Sequence, residues 1–250
     1  MNKLCYKNCL IIFILFLPCF SFGNIWLPKY KQDDQIIHHR YYSLKYNKLT
    51  KQADWVAFSV TRKMINRGKN KSTYLFKPDP LIAPIDSSSI KDYLNSGYVC
   101  GQLCPSALMQ ISPEAMDESF YMSNITPQDT YFNYYMWNTL KSKIRQWALN
   151  NKEIFIVTGP IFSKTGKKIK IGENGILVPD AFFCVILDFR ISKSKAIAFI
   201  LPNKKPVAPF QTYATSIDNV EDITGINFFP ELPSHMELNL ESKYDYNLWK

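Results

Sequence analysis

Cysteine is too scarce in this sequence to build a disulfide scaffold. Of the six cysteines, three lie within the first 19 residues, which leaves only Cys100, Cys104 and Cys184 for the rest of the chain. Three is an odd number and too few for a disulfide framework. Two arrangements remain open from the sequence: a Cys100–Cys104 bridge with Cys184 as a small buried residue, or three unpaired cysteines in the core.

An apolar run long enough to form a membrane span is also missing. The run Leu10–Phe20 contains Pro18 and is about half of the roughly 20 residues that a spanning helix needs. Two lysines precede it and the small-residue pattern Ser21 to Gly23 follows, which is the order of a secretory signal peptide. We therefore predict a signal peptide over residues 1–23, no transmembrane anchor after cleavage, and a secreted or periplasmic protein. An uncleaved anchor and a lipid-modified Cys19 are the alternatives.

Internal repeats, low-complexity tracts and long linkers are absent as well. Residues 24–250 are 227 residues, enough for one domain with a full hydrophobic core. They carry 28 lysines and arginines against 21 acids, a net charge of +7. Such a balance suits a polyanionic partner such as nucleic acid or an anionic surface, although a lysine-rich composition without functional meaning gives the same charge.

The hydrophobic pattern predicts several strands and one long helix. Apolar residues recur at steps of three and four from about Thr130 to Leu149, the pattern of an amphipathic helix. Ser112-Pro113-Glu114 indicates another helix start, and Asp218–Thr224 a short acidic helix. Gly159-Pro160 predicts a turn that closes the preceding strand. The strand candidates are Tyr41–Tyr46, Asp54–Val60, Glu153–Pro160, Ala181–Phe189 and Ala196–Leu201. Strands on both sides of one long helix favour the α+β class.

Several motifs occur in a fixed order along the chain. These are Gly97–Pro105, with the sequence Gly-Tyr-Val-Cys-Gly-Gln-Leu-Cys-Pro, then Ser123–Gln128, with Ser-Asn-Ile-Thr-Pro-Gln, and then Asn133 with Trp137. In this order and spacing they resemble the DNA/RNA non-specific endonuclease family. The resemblance implies a ββα-metal nuclease fold, in which helices and a long metal-site helix flank a central, mainly antiparallel sheet. Shorter matches extend it over almost the whole of residues 24–250.

The resemblance also indicates which chemical groups this chain lacks. The family carries Asp-Arg-Gly-His where this chain has Val99-Cys100-Gly101-Gln102. The family's histidine is the general base that takes a proton from water, whereas the amide of Gln102 can orient a water but cannot collect its proton. The carboxylate and the guanidinium that precede the histidine are replaced by Val99 and Cys100. His38, His39 and His235 are distant in sequence from these positions.

The metal site that the resemblance implies is also altered. Asn133 lies nine residues after Asn124, the family's spacing for the metal-binding asparagine and the asparagine of the preceding turn. One neutral oxygen suffices in that family because Mg²⁺ keeps most of its waters. The family's glutamate two helical turns later is Lys141 here, and a cation opposes a divalent metal. We expect a weakened Mg²⁺ site at Asn133. Asn124 is either a site residue or a turn residue that caps backbone groups.

Basic residues supply the remaining candidates for contact with nucleic acid. The phosphate-binding arginine of the family aligns near Tyr74, where the nearest cations are Lys71 and Lys77. A second lysine group flanks Gly166, in a basic loop that is either a phosphate contact or an ordinary solvated loop. The candidate phosphate contacts in this loop are Lys164, Lys167 and Lys168.

These observations predict a nuclease-like protein that binds DNA or RNA without sequence preference and hydrolyses it poorly or not at all. Gln102, Asn124 and Lys141 are the candidate catalytic positions, and Asn133 is the candidate metal ligand. One alternative is an endonuclease with a rebuilt site, in which Lys141 stabilises phosphate charge. Another is an interaction module that uses the nuclease fold to bind an unknown protein partner.

Overall fold

The computed structural model describes residues 26–67, 75–190 and 193–250. The predicted signal peptide over residues 1–23 and the candidate Lys71 lie outside these residues. Within the described ranges, no helix combines the length and the apolar character needed to cross a bilayer.

Antiparallel strands make up the centre of the fold. The strands of the described residues are β1 (Gln35–His38), β2 (Tyr42–Asn47), β3 (Gln52–Thr61), β4 (Val99–Gln102), β5 (Ile125–Gln128), β6 (Glu153–Ile161), β7 (Lys170–Ile171), β8 (Ile176–Leu177), β9 (Ala181–Asp188), β10 (Lys195–Pro202) and β11 (Ala214–Thr215). Seven of them form one sheet in the order β1-β2-β3-β6-β9-β10-β11, and each neighbouring pair is antiparallel. β4 pairs with β5, and β7 with β8, in two separate antiparallel ribbons.

Helices connect and cover these strands. The α-helices are α1 (Arg62–Arg67), α2 (Pro113–Glu118), α3 (Asn138–Asn151), α4 (Ile217–Thr224) and α5 (Ser234–Glu241). A π-helical segment, Phe132–Trp137, runs directly into α3. Short 3₁₀ helices occupy Ile90–Tyr93, Ser106–Leu108, Met122–Asn124, Phe210–Tyr213 and Tyr246–Trp249.

Alternating side chains give the large sheet two apolar faces. Phe58 and Phe182 point to the face covered by α3, whereas Ala57 and Phe183 point to the face covered by α4. Alternation of this kind follows from the two-residue period of a strand. The sheet is therefore a central layer with helices on both faces. This arrangement confirms the predicted α+β class, with a central antiparallel sheet, flanking helices and one long helix.

Two predicted helix starts are confirmed in detail. Ser112 caps α2, because its side chain accepts a hydrogen bond from the Ala115 N–H at 3.1 Å, and Pro113 occupies the first turn. The long helix is continuous from Thr130 to Asn151, close to the predicted bounds. Its π-helical segment was not predicted, because the buried residues Phe132, Met136 and Trp137 continue into Leu140 at steps of three and four, as in an α-helix.

The predicted turn at Gly159-Pro160 is wrong, because both residues lie inside β6. β3 pairs with β6 only as far as Thr158. Proline has no backbone N–H, and at position 160 none is needed for a hydrogen bond to β3. Gly159 permits close packing here: a Cβ at this position would lie 2.3 Å from the Asp54 carbonyl oxygen and 2.6 Å from the Phe183 ring. Glycine and proline thus mark a tightly packed strand rather than its end.

The cysteines at 100, 104 and 184 are all unbridged. Cys104 and Cys184 are buried in the core, and Cys100 is half-buried against a small apolar cluster. Burial raises the pKa of the Cys100 thiol to about 12, so it stays protonated at neutral pH. The structure therefore supports the second arrangement left open by the sequence, three unpaired cysteines.

Candidate functional site

The β4–β5 ribbon and the long helix meet at Gln102. In the ribbon Gln102 is opposite Ile125, and Val99 is opposite Gln128. The Trp137 ring N–H donates to the Gln102 carbonyl oxygen at 2.9 Å, which fixes the helix against the end of β4. The Thr126 hydroxyl donates to Gln52 at 2.6 Å and ties the ribbon to β3 of the large sheet. The family motifs are thereby brought together on the α3 side of the sheet.

Both ends of the Gln102 side chain bond to backbone groups. Its Nε2 donates to the Ser119 carbonyl oxygen at 3.0 Å, and its Oε1 accepts the Ser106 N–H at 3.1 Å. The amide therefore connects the loop after β4 to the end of α2. It performs a structural task, and it has no nitrogen that can take up a proton near neutral pH.

Asn124 is completely buried and bonds only to backbone atoms. Its Oδ1 accepts the Cys104 N–H at 2.7 Å, and its Nδ2 donates to the carbonyl oxygens of Cys104 at 2.9 Å and Ser119 at 2.8 Å. These bonds link the loop after β4 to the turn before β5. The contacts are those of a residue that caps backbone groups.

Asn133 is held by a glutamine that crosses the ribbon. Its Nδ2 donates to Gln128 Oε1 at 2.6 Å. The Gln128 side chain passes directly over Gly101, where a Cβ would lie only 2.1 Å from the Gln128 Cδ. Gln128 is fully buried, and its Nε2 has no hydrogen-bond partner. Gly101 is thus required by the close approach of Gln128, which sets the orientation of Asn133.

Lys141 lies eight residues beyond Asn133 on the same helix. In a regular α-helix the two side chains would be offset by about 80° after two turns. The π-helical segment Phe132–Trp137 has wider turns, so it reduces this offset and brings the two residues closer to one face. Lys141 is half-buried, and burial lowers the pKa of its ammonium group. A positive charge therefore lies beside the Asn133 face.

The residues around Asn133 do not fit a divalent metal. Asn133 offers one neutral oxygen, and the neighbouring charged group is an ammonium rather than a carboxylate. Among the described residues, the one group of three acids, histidines or cysteines close enough to share an ion lies elsewhere, at Asp218, Glu221 and Glu241. Mg²⁺ can keep most of its waters with one protein oxygen, but the ammonium of Lys141 repels the ion where a carboxylate would hold those waters.

A buried His39–Asp79–Ser123 network lies next to the Asn124 turn. His39 Nε2 is 2.9 Å from Asp79 Oδ2, and the Ser123 hydroxyl donates to the same oxygen at 2.5 Å. The Leu81 N–H donates to the other oxygen at 2.9 Å. The His39 ring also packs against Tyr121, with ring centroids 5.0 Å apart. The network joins segments far apart in sequence, and no local motif could have revealed it.

The Asp79 carboxylate is stabilised in its charged form. Burial by itself would raise its pKa, but hydrogen bonds from His39, Ser123 and Leu81 outweigh burial, and the pKa is lowered below its ordinary value. A lowered carboxyl pKa contributes stability above the unfolded-state pKa of about 3.9, and that stability is lost as pH falls through the folded-state pKa. The contribution is therefore complete at neutral pH and is lost progressively as pH falls below about 4.

We expect Asp79→Asn to lower the free energy of unfolding by about 1.5–3 kcal/mol at pH 7, the usual value of hydrogen bonds to a charged group. The difference from the wild type should shrink as pH falls below about 4, because the wild type then loses its charge as well. Urea unfolding at a series of pH values measures both quantities. Asp33→Asn, which alters an exposed acid, is the control. A difference that grows on acidification would contradict this account.

The predicted nucleic-acid contacts occupy two separate places. Lys77 is half-buried, with its Nζ 5.0 Å from the centroid of the Tyr121 ring. Lys164, Lys167 and Lys168 are exposed in the loop between β6 and β7. Lys168 Nζ donates to the Ser163 carbonyl oxygen within this loop. Of the second lysine group, Lys164 and Lys167 have side chains in solvent.

Comparison with known proteins places these observations in a family. The sequence model of the family described as DNA/RNA non-specific endonuclease matches residues 27–235. Human mitochondrial nuclease EXOG is 33% identical over 207 residues, covering 76% of this chain and 56% of that protein. Bovine mitochondrial endonuclease G is 29% identical over 203 residues, covering 76% and 68%. The chain therefore spans little more than half the length of the human relative.

A solved structure shows the same fold. The crystal structure of the EndoG/EndoGI complex, described as revealing the mechanism of EndoG inhibition, contains a chain with a TM-score of 0.76 and 26% identity. The match covers 84% of this chain and 90% of that chain. The predicted family and fold are confirmed. The predicted secreted or periplasmic location is wrong, because the human and bovine relatives are named as mitochondrial nucleases.

Proposed function

Because the chain belongs to the DNA/RNA non-specific endonuclease family, we propose that it is a pseudo-nuclease that binds nucleic acid but hydrolyses it slowly or not at all. The observation that carries this proposal is Gln102, whose amide occupies the position of the family's general base. Both ends of this amide bond to backbone groups at 3.0 and 3.1 Å. These bonds hold the amide in place, and it has no nitrogen that can accept the proton that hydrolysis releases.

The expected loss of activity follows from general acid–base chemistry. A positioned general base typically contributes about 10²–10⁴-fold to the rate. Val99 and Cys100 supply neither the carboxylate nor the guanidinium of the family motif, and Lys141 places a cation where the family has a glutamate. Each change acts on a different part of the reaction. Together they support a protein whose hydrolytic rate is reduced by at least this factor.

The retained basic surface supports binding. The chain has a formal net charge of +9, and Lys164 and Lys167 extend from an exposed loop. A phosphate backbone is attracted to such a surface without regard to base sequence. DNA and RNA share this backbone, so the proposal covers both. Lys77 and Lys168 are candidate contacts that complete the set within the described residues.

Binding to duplex DNA should weaken steeply as salt increases. Each phosphate contact adds about 0.9 to the slope of log K against log salt concentration. Replacing Lys164, Lys167 and Lys168 by alanine should therefore reduce the slope by about 2–3 if all three contact phosphates. Fluorescence anisotropy with labelled DNA at several salt concentrations measures the slope. The control with equal net charge replaces three exposed lysines elsewhere, Lys91, Lys193 and Lys243.

The same protein preparation should be tested for nicking of supercoiled plasmid, with Mg²⁺ and with EDTA. Binding without nicking is the expected result. Efficient nicking would show an enzyme with a rebuilt site and would overturn the proposal. Absence of binding at low salt by a folded protein would contradict nucleic-acid binding and would favour a protein partner instead.

A further inference from the structure

A cluster of carboxylates lies on the opposite face of the sheet from Gln102. Helices α4 and α5 both pack on this face, and together they bring Asp218, Glu221 and Glu241 into one group. One carboxylate oxygen from each residue lies within 4.8 Å of the oxygens of the other two. Like charges at this separation repel one another strongly, so the arrangement needs a compensating cation or a proton.

Glu241 shows this need most clearly, because it is buried inside the cluster. Its exposed fraction is only 5%, and its Oε1 has no hydrogen-bond partner. Among the residues described by the structure, no lysine, arginine or histidine nitrogen forms a salt bridge with any of the three acids. A buried carboxylate without a donor or a cation is costly, and native proteins rarely keep one.

The neighbouring groups make the local charge more negative. Glu237 and Asp222 lie near enough to act electrostatically on Glu221. The Phe228 N–H donates to Glu221 Oε1 at 2.7 Å, which fixes that carboxylate at the edge of the cluster. Within the described part of the chain, one backbone N–H therefore donates to the three acids, and Glu241 Oε1 receives no hydrogen bond.

We propose that Asp218, Glu221 and Glu241 bind a hard divalent cation, with Ca²⁺ as the best match in size. Carboxylate oxygens are the preferred ligands of Ca²⁺, at about 2.3–2.6 Å from the ion. Two oxygens on opposite sides of such an ion are therefore about 4.6–5.2 Å apart, and oxygens on adjacent positions are closer. The three oxygens of this cluster satisfy that limit, and water completes the coordination. The site lies on the opposite face of the sheet from Gln102, so ion binding there can be tested separately from hydrolysis.

Thermal unfolding of the chelator-treated protein with added Ca²⁺, and separately with Mg²⁺, tests this site. At an ion concentration about a hundred times Kd, we expect Tm to rise by about 5–10 °C. Glu241→Gln should remove this rise, and Glu231→Gln, an exposed acid outside the cluster, should leave it intact. Calorimetric titration should give one ion per chain, and none for Glu241→Gln.

Absence of binding by both ions at millimolar concentration would overturn the proposal. A rise in Tm that persists unchanged in Glu241→Gln would also overturn it, because the ion would then bind elsewhere. If Glu241→Gln does not fold, Asp218→Asn provides the decisive comparison, since Asp218 is exposed and its replacement leaves the buried core unchanged. Unchanged ion binding by Asp218→Asn would then count against the site, and weakened binding would support it.

Discussion

Replacing Gln102 by histidine and Lys141 by glutamate in the same chain is expected to raise Mg²⁺-dependent plasmid nicking by about 10²–10⁴-fold, the usual contribution of a general base. A histidine at position 102 could keep the hydrogen bond to the Ser119 carbonyl oxygen through one ring nitrogen. That bond would fix the tautomer and leave the other nitrogen free to take a proton. Glutamate at position 141 would remove the cation that opposes a metal beside Asn133.

The controls separate the general base from the charge change. Gln102→His combined with Lys143→Glu has the same net charge and alters the same helix two residues away, so it should recover little. Each single replacement should also recover less than the pair, because base and metal act on one step. Nicking is measured with Mg²⁺ and with EDTA. A folded double variant that remains inactive would show that the replacements at positions 102 and 141 do not by themselves account for the loss.

Adding Val99→Asp and Cys100→Arg restores the rest of the family motif, but this step has a structural cost. Cys100 is half-buried and packs against the apolar cluster formed by residues such as Tyr93 and Met122. An arginine at this position needs space that a cysteine does not. The two-residue variant is therefore the sharper first test, and the four-residue variant should follow only if its folding is verified.

Asn124→Ala is expected to lower the free energy of unfolding by about 3–5 kcal/mol. The replacement removes three hydrogen bonds and leaves the buried N–H and carbonyl of Cys104 without partners. Each such buried group costs about 1–3 kcal/mol. The Ser119 carbonyl keeps its bond from Gln102, so it adds less. Urea unfolding measures the loss directly.

Asn138→Ala is the matched control, because this asparagine makes one exposed bond, to the Tyr134 carbonyl oxygen at 2.9 Å. The Asn138→Ala replacement should lower the free energy of unfolding by less than about 1 kcal/mol. A similar small cost at Asn124 would mean that the turn is held by other contacts and that Asn124 is free for another role. A large loss of unfolding free energy in Asn124→Ala would agree with a structural role for Asn124.

Sequence patterns predicted the regular elements well, because strands and helices impose short repeats. Apolar steps of three and four gave the helix that ends at Asn151, and alternation gave β2 and β3. The Gly159-Pro160 error has a different cause. Whether a proline ends a strand depends on which neighbours the strand pairs with, and the sequence of β6 alone does not contain that information.

Motif order predicted which residues form the candidate site, and the features that it did not indicate depend on contacts between distant segments. His39 and Asp79 are 40 residues apart and meet only in the folded chain. The roles of Gln102 and Asn124 as backbone bridges also required knowledge of where the Ser119 carbonyl lies. The acidic cluster gave one local signal, since Asp218 and Glu221 are three residues apart on a helix, but Glu241 belongs to another helix.

The position of the site along the chain explains how the fold and the chemistry can separate in evolution. β3 and β6 are neighbours in the sheet, and the residues from Arg62 to Lys152 form an excursion between them. Gln102, Asn133 and Lys141 all lie within this excursion. Substitutions at these three positions leave the pairing of the seven-stranded sheet intact, because none of the three lies in that sheet. Selection for a stable sheet therefore does not by itself constrain the chemistry of the excursion.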